Sequence, residues 1–221
     1  VFETGMTSFK TFLAYKGAIG VDESELYQII EIAQKLGALT TVHAENAEII
    51  DRTVKKLLAE GKKTPMDHAR SRPPEVEEEG IQRAITLAFM HRAPIYFVHM
   101  SCQLGLGRVA DASLRGRTVY GETCPQYLLL DESYYDRPDW EGAKWVMSPP
   151  LREKSNLEAL WNGIKSGLIQ TVTTDHCPFD FRGQKDMGGR NDFSKIPNGI
   201  PGIQDRMLLM YTYGVTTGRF D

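Results

Sequence analysis

The feature that most constrains this chain is an alternation of short apolar runs with amphipathic helical patterns. TSFKTFLAY (7–15) reads as a buried strand of aromatic and β-branched residues, bounded by Gly5 and by the Lys16–Gly17 turn. Asp22 and Glu23 then precede SELYQIIEIAQKLG (24–37), where Leu26, Ile29, Ile30 and Ala33 share one helical face and Gly37 closes the end. ALTTVHAEN (38–46) is the next strand. A helix over 47–61 follows, then a polar, Pro-rich connection through PMDHARSRPPEVEEE (65–79), and a helix over 77–92 that leads into the strand APIYFVHMS (93–101). A helix over 103–116 precedes the strand TVYGETC (118–124). An irregular stretch from about 126 to 153 follows, and a helix over 156–167 feeds the strand LIQTVTTDHC (168–177). Five strands alternating with helices predict an α/β fold with parallel strands and helical crossovers. A doubly wound sheet and a barrel both satisfy that pattern.

The polar residues at the strand ends carry more information than the periodicity. Lys10 lies within the first strand, His43 ends the second, His99 ends the third and Asp175 ends the last. In a parallel barrel these ends share one face, so residues distant in sequence converge on one cavity. Each also has a structural reading. A lone histidine after a strand is more often a hydrogen-bonded structural residue than a ligand; for two at equivalent strand ends the two readings stand level. Lys10, between Phe9 and Phe12, must find a partner or lose its charge if the strand is buried. It reads as a snorkelling edge residue, as half of a salt bridge, or as a neutral amine. A neutral amine adds carbon dioxide to give a carbamate, a carboxylate-like bridge for two metals; the tunable lysine pKa is the premise. Asp175 reads as a helix cap or, near two histidines, as a ligand and proton carrier. His68, in the polar connection, His91, near a helix C-terminus, and His176, one residue past Asp175 and facing away, are not assigned to metal.

Composition narrows the partners. The 221 residues are 41% hydrophobic and 25% charged with net charge −3, which argues against nucleic acid or an anionic membrane as partner. No apolar run approaches the roughly 20 residues of a membrane span. Cys102, Cys124 and Cys177 are widely spaced and odd in number, which fits a reducing, cytoplasmic setting better than a disulfide framework. The chain opens on VFETGMTSFK and stops at TTGRFD, and both ends read as cut through structure, so a piece of a longer protein is expected.

SFKTFLAYKG, TVHAEN, VHMSC, GETCPQYL, SPPLRE, TDHCPF and KIPNG occur in the order expected of one family. Across the whole chain the sequence resembles the dihydropyrimidinase and D-hydantoinase branch of the amidohydrolase superfamily. The resemblance implies a (β/α)8 TIM barrel of which residues 1–221 cover about strands four to eight. The first three strands and a flanking β-sandwich domain would lie outside the sequence. It implies two zinc ions per subunit bridged by N-carboxylated Lys10, with His43 and His99 on one metal and Asp175 on the other. It implies that Tyr15 hydrogen-bonds the carbonyl as it becomes an oxyanion, and that Ser148 and Asn198 hold the ring through backbone groups. A bridging hydroxide would open a cyclic amide or ureide, with Asp175 carrying its proton to the ring nitrogen. From a dihydropyrimidine the product would be an N-carbamoyl β-amino acid, and from a hydantoin an N-carbamoyl α-amino acid. A homotetramer is implied too.

One departure stands out. The family's His-x-His pair is absent from this sequence, so the 221 residues alone are expected to hydrolyse little or nothing. Sibling cyclic amidases such as allantoinase and dihydroorotase are the alternative, although FLAYKG, SPPLRE and IPNG favour the dihydropyrimidinase branch. A non-catalytic scaffold that resembles dihydropyrimidinase is a second alternative, disfavoured by the intact Lys10, His43, His99 and Asp175. A plain α/β binding module is a third.

Overall fold

In the computed structural model, which describes residues 2–220, all five apolar runs pair parallel and in chain order. They are β1 (Ser8–Phe12), β2 (Leu39–His43), β3 (Ile95–Phe97), β4 (Val119–Thr123) and β5 (Thr171–Val172). Val1 and Asp221, at the two ends read above as cut, lie outside the described residues. Register is unambiguous: Phe12 pairs with His43, Val42 with Phe97, Phe97 with Gly121 and Thr123 with Val172. The strands therefore run the same way, and their carboxyl ends form one rim. The sheet is strongly curved. Lys10 on its first strand reaches to 3.9 Å from Asp175, just past its last. Sequential parallel pairing with that curvature is the geometry of a (β/α)8 barrel segment.

The connections are helical: α1 (Glu23–Leu36), α2 (Ala47–Ala59), α3 (Pro65–Arg70), α4 (Pro74–Met90), α5 (Gln103–Leu114), α6 (Pro125–Leu129) and α7 (Ser155–Lys165), with α8 (Arg206–Met210) after the last strand. Asp22 caps α1 in a reciprocal capping box with Glu25, and Gly37 closes it in the left-handed conformation. Leu26, Ile30 and Ala33 are buried and Ile29 is half-buried, so the predicted face is the one that packs.

Two expectations need correction. The Pro-rich connection is largely helical, because Pro65 and Pro74 sit in the first turns of α3 and α4, where a missing N–H costs nothing and a fixed φ favours the helix. His68 is consequently not in a polar loop but in α3, and it is buried. In the segment read as the first buried strand, Thr11, Leu13 and Ala14 are buried, Phe9, Phe12 and Tyr15 are half-buried, and Ser8 and Lys10 are exposed.

α4 lies close against the end of β2. A Cβ on Gly80 would stand 2.6 Å from the Ala44 carbonyl oxygen, so only glycine allows this approach. Behind the sheet rim the core carries a belt of buried charge. The Arg152 guanidinium donates from Nη2 to Glu77 Oε2 at 2.8 Å, from Nε to Ser101 Oγ at 2.9 Å, and from Nη1 to the Arg72 carbonyl. Ser101 N donates to Glu77 Oε1 at 2.8 Å, so both carboxylate oxygens are engaged. His68 Nε2 donates to the Met147 carbonyl at 2.8 Å and ties α3 to the loop before Ser148. Burial, reinforced by the nearby Arg72 charge, pushes the His68 imidazole down to about 3.

These contacts give two predictions for the protein that carries this sequence. Arg152→Met leaves Glu77 as a buried unpaired carboxylate, and is expected to lower unfolding stability by about 3–5 kcal/mol. Urea denaturation reads this, and an unchanged midpoint would refute it. The second concerns pH. The unfolded chain protonates His68 near 6.5 whereas the folded one resists until about 3. The stability this residue contributes is therefore complete above pH 6.5 and declines as pH falls towards 3, with a slope of at most about 1.4 kcal/mol per pH unit. Buried His99, also held well below its ordinary value, adds a slope of the same sign. Unfolding free energies measured from pH 7 to pH 5 should fall, and less steeply in His68→Gln; a flat profile would contradict the assignment.

Candidate functional site

Seven residues from four strand ends and three loops line one cavity of about 200 Å³ at the rim: Lys10, Tyr15, His43, His99, Ser148, Asp175 and Asn198. These are the seven singled out from the sequence. A larger, mainly apolar cavity of about 570 Å³ shares the Gln126 and Ile200 walls but none of the seven lines it. The convergence of titratable groups makes the smaller one the candidate site.

The two histidines are buried and face each other, His43 Nδ1 lying 2.9 Å from His99 Nε2. The rings meet edge to face at 4.6 Å, and the rings of Phe12 and Tyr15 pack on His43 at 5.6 and 5.4 Å. His43 Nε2 donates to Glu45 Oε2 at 2.8 Å, which leaves its Nδ1 as the acceptor nitrogen in the cavity. Burial holds His99 well below the ordinary imidazole range, with His43 and Lys10 adding to the effect, so it is neutral at physiological pH. Its Nδ1 is buried with no hydrogen-bond partner among the described residues. Glu45 is fully buried. Burial alone would raise its carboxyl, but the Arg72 charge and the His43 hydrogen bond outweigh it and hold it well below the usual range.

The remaining groups are more open. The Lys10 and Asp175 side chains are 39% and 41% exposed and form a loose ion pair at 3.9 Å. Burial pushes the Tyr15 phenol upward, partly offset by Arg72, so Tyr15 is a proton donor at neutral pH. Ser148 Oγ donates to Asn198 Oδ1 at 2.9 Å and joins the two loops that carry them. The Val146 carbonyl accepts from Gly199 N at 3.0 Å and from Lys185 Nζ at 2.8 Å, which ties the same loops together from behind. A Cβ on Gly199, at φ 146°, would stand 2.4 Å from the Cys177 carbonyl oxygen, so the chain next to Asn198 approaches the Asp175 loop as only glycine can.

The backbone marks this rim independently. Six non-glycine residues among those described have left-handed φ, and three of them, Tyr15, His99 and Asp175, line the cavity. Such conformations persist only where surrounding contacts over-determine them, and they cluster at functional sites. Glu122 supplies part of that support, accepting from His99 N at 3.2 Å, Thr173 Oγ1 at 2.7 Å and Tyr96 OH at 2.6 Å. Gln126 Nε2 donates to the Thr174 carbonyl at 3.1 Å and fixes the residue before Asp175.

Glu45, Arg72, Glu122 and Gln126 went unread in the sequence. Glu45 lies two residues past His43, the spacing that keeps extended side chains on one face, and Glu122 is a carboxylate inside an apolar run; both were legible signals. Arg72 had none, since its partner Glu45 is 27 residues away. The three unassigned histidines stand apart from the cavity: His91 caps α4 and stacks on Tyr27 at 4.2 Å, and His176 accepts from the Gly202 and Ile203 amides. The three cysteines are free, Cys102 and Cys124 buried and Cys177 exposed at the cavity.

His43 Nδ1 and His99 Nε2 face each other in the cavity, with Glu45 on the outer nitrogen of His43, and imidazoles so placed could hold a cation such as zinc. Among the described residues no three His, Cys, Asp or Glu side chains form a cage on their own. A cation held here would draw its further donors from Lys10, after modification, and from Asp175.

Comparison with known proteins gives a consistent result. No family model matches. The D-hydantoinase of Geobacillus stearothermophilus is 50% identical over 217 residues, covering 98% of this chain and 46% of that protein. The D-hydantoinase structure from a Bacillus sp. superposes with a TM-score of 0.97 at 52% identity, covering 100% of this chain and 48% of that one. The dihydropyrimidinase structure from Brevibacillus agri gives 0.97 at 50% identity, covering 99% and 47%. The chain thus spans about half the length of the relatives it matches. Over that span it belongs to the D-hydantoinase and dihydropyrimidinase family.

Proposed function

We propose that the protein carrying this sequence hydrolyses the ring C–N bond of a cyclic amide or ureide, a dihydropyrimidine or a hydantoin, to an N-carbamoyl amino acid. The observation that carries this reading is the meeting of Lys10, His43, His99 and Asp175 in one cavity with Tyr15, Ser148 and Asn198. His43 and His99 would hold one zinc ion, Asp175 a second, and N-carboxylated Lys10 would bridge them. When bound, such ions acidify water and polarise a carbonyl.

The residues of the chain then have separate tasks. Tyr15, kept protonated by burial, donates to the carbonyl oxygen as negative charge develops on it. Asp175, open to the cavity, takes the proton of the attacking water and returns it to the departing ring nitrogen, which becomes the neutral NH2 of the carbamoyl group. The Ser148–Asn198 hydrogen bond holds two loops at a fixed spacing, and their backbone groups orient a small planar ring. A cytoplasmic homotetramer is part of the same reading. No helix among the described residues is long and apolar enough to cross a membrane.

Lys10→Ala is expected to lose both bound zinc and hydrolysis of dihydrouracil and hydantoin, read by metal analysis and by release of the N-carbamoyl product. Zinc content and turnover equal to those of the unsubstituted protein would sink the assignment. Tyr15→Phe removes only the phenolic donor and is expected to lower kcat about 10²–10³-fold at unchanged zinc content. A kcat within twofold of the parent would remove Tyr15 from the chemistry.

A further inference from the structure

A band of buried charge stands directly behind the paired histidines. Glu45 Oε2 accepts two hydrogen bonds at once, from His43 Nε2 at 2.8 Å and from Arg72 Nη1 at 2.7 Å. Glu45 is fully buried and the Arg72 side chain is 11% exposed. The Arg72 guanidinium also lies 6.0 Å from the centroid of the Tyr15 ring, within reach of a cation–π attraction. Arg72 is itself anchored, because its carbonyl accepts from Arg152 and the residue after it, Pro73, restricts its backbone.

We propose that Glu45 and Arg72 are positioning residues that set His43 and Tyr15 relative to each other. With Nε2 committed as donor to a carboxylate, the neutral ring of His43 has one tautomer open to it, with the Nδ1 lone pair facing His99 Nε2 across 2.9 Å. The opposite tautomer would press an imidazole lone pair against the Glu45 oxygen in a dry interior. Arg72 keeps Glu45 oriented for that bond, and its guanidinium stands 6.0 Å from the centroid of the Tyr15 ring. One guanidinium thereby bears on both His43 and Tyr15. The Glu45–Arg72 pair touches neither the ring substrate nor the cavity, since neither residue lines it. A purely structural pair would be equally served by two apolar side chains of matching volume.

This inference rests on the reading that His43 and His99 hold a divalent cation, and the test separates the two. The full protein is stripped of metal and titrated with zinc against a chromophoric chelator, and the unfolding of the metal-free protein is followed alongside. Unsubstituted protein should bind zinc; failure to do so overturns the metal reading and this inference with it. The double variant Glu45→Gln/Arg72→Met removes both charges together, so no buried charge is left unpaired and the fold is expected to survive. Its zinc affinity should fall about 10–100-fold, the range for loss of a carboxylate behind a metal-ligating histidine. Arg72→Lys, which restores the charge but not the planar fork, should retain part of the affinity, and Glu45→Asp, which withdraws the oxygen by one methylene, should weaken binding as well. Zinc affinity equal to the parent in both the double variant and Glu45→Asp overturns the positioning role while leaving the metal reading intact.

Discussion

Parallel pairing in chain order is the constraint on which everything else in this structure depends. It sends the carboxyl end of every strand to one rim, so a residue type placed at the end of a run in sequence becomes a neighbour of its equivalents in space. Curvature completes the effect. In a flat sheet of five strands about 4.8 Å apart, the outermost strands would be separated by roughly 19 Å, too far for a lysine and an aspartate to meet. Here Lys10 and Asp175 stand 3.9 Å apart. Chemistry written at four separate places along the chain is gathered by backbone geometry alone.

Gathering polar groups in a dry rim has an energetic cost, and the belt behind the site offsets it. Glu45, Glu77, Arg72 and Arg152 are all buried, a set that would be strongly destabilising if any member lacked its partner. Instead the carboxylates and guanidiniums alternate, and the Arg72 carbonyl links the Glu45 pair to the Glu77 pair. Ser101 completes the second pair, and it directly follows Met100, whose amide is bonded to the Glu122 carbonyl. The contacts that neutralise the belt also fix the turns carrying His43 and His99.

The architecture was legible in the sequence because apolar runs and amphipathic stretches are local signals, and five strands in the expected order emerged from them. Of the seven cavity residues, Lys10, His43, His99 and Asp175 were legible as polar groups in or just after apolar strands, and Tyr15, Ser148 and Asn198 only through the motifs of the family resemblance. What was not legible is non-local. The 65–79 segment looked like a connection because its prolines and charges dominate the local pattern, yet prolines in a first turn begin helices, and the same charges serve buried partners. His68 looked solvated for that reason; its partner, the Met147 carbonyl, is 79 residues away. For Lys10 the local pattern decides little, because whether a strand residue faces core or solvent depends on what packs on each face of the sheet.

This division between an open rim and a dry support explains how the site can be both reactive and well ordered. Lys10 and Asp175 stand exposed and weakly paired. Such side chains cannot fix their own geometry. His43 and His99 can, because they are buried and each is held by a carboxylate, Glu45 on the ring of one and Glu122 on the amide of the other. The left-handed backbone at Tyr15, His99 and Asp175 turns those residues at the rim, and for His99 the Glu122 contact helps to hold that conformation. Precision at the cavity is therefore a property of residues that never enter it. A substitution in the belt should disturb the chemistry through angles and distances, while the identity of every group lining the cavity stays the same.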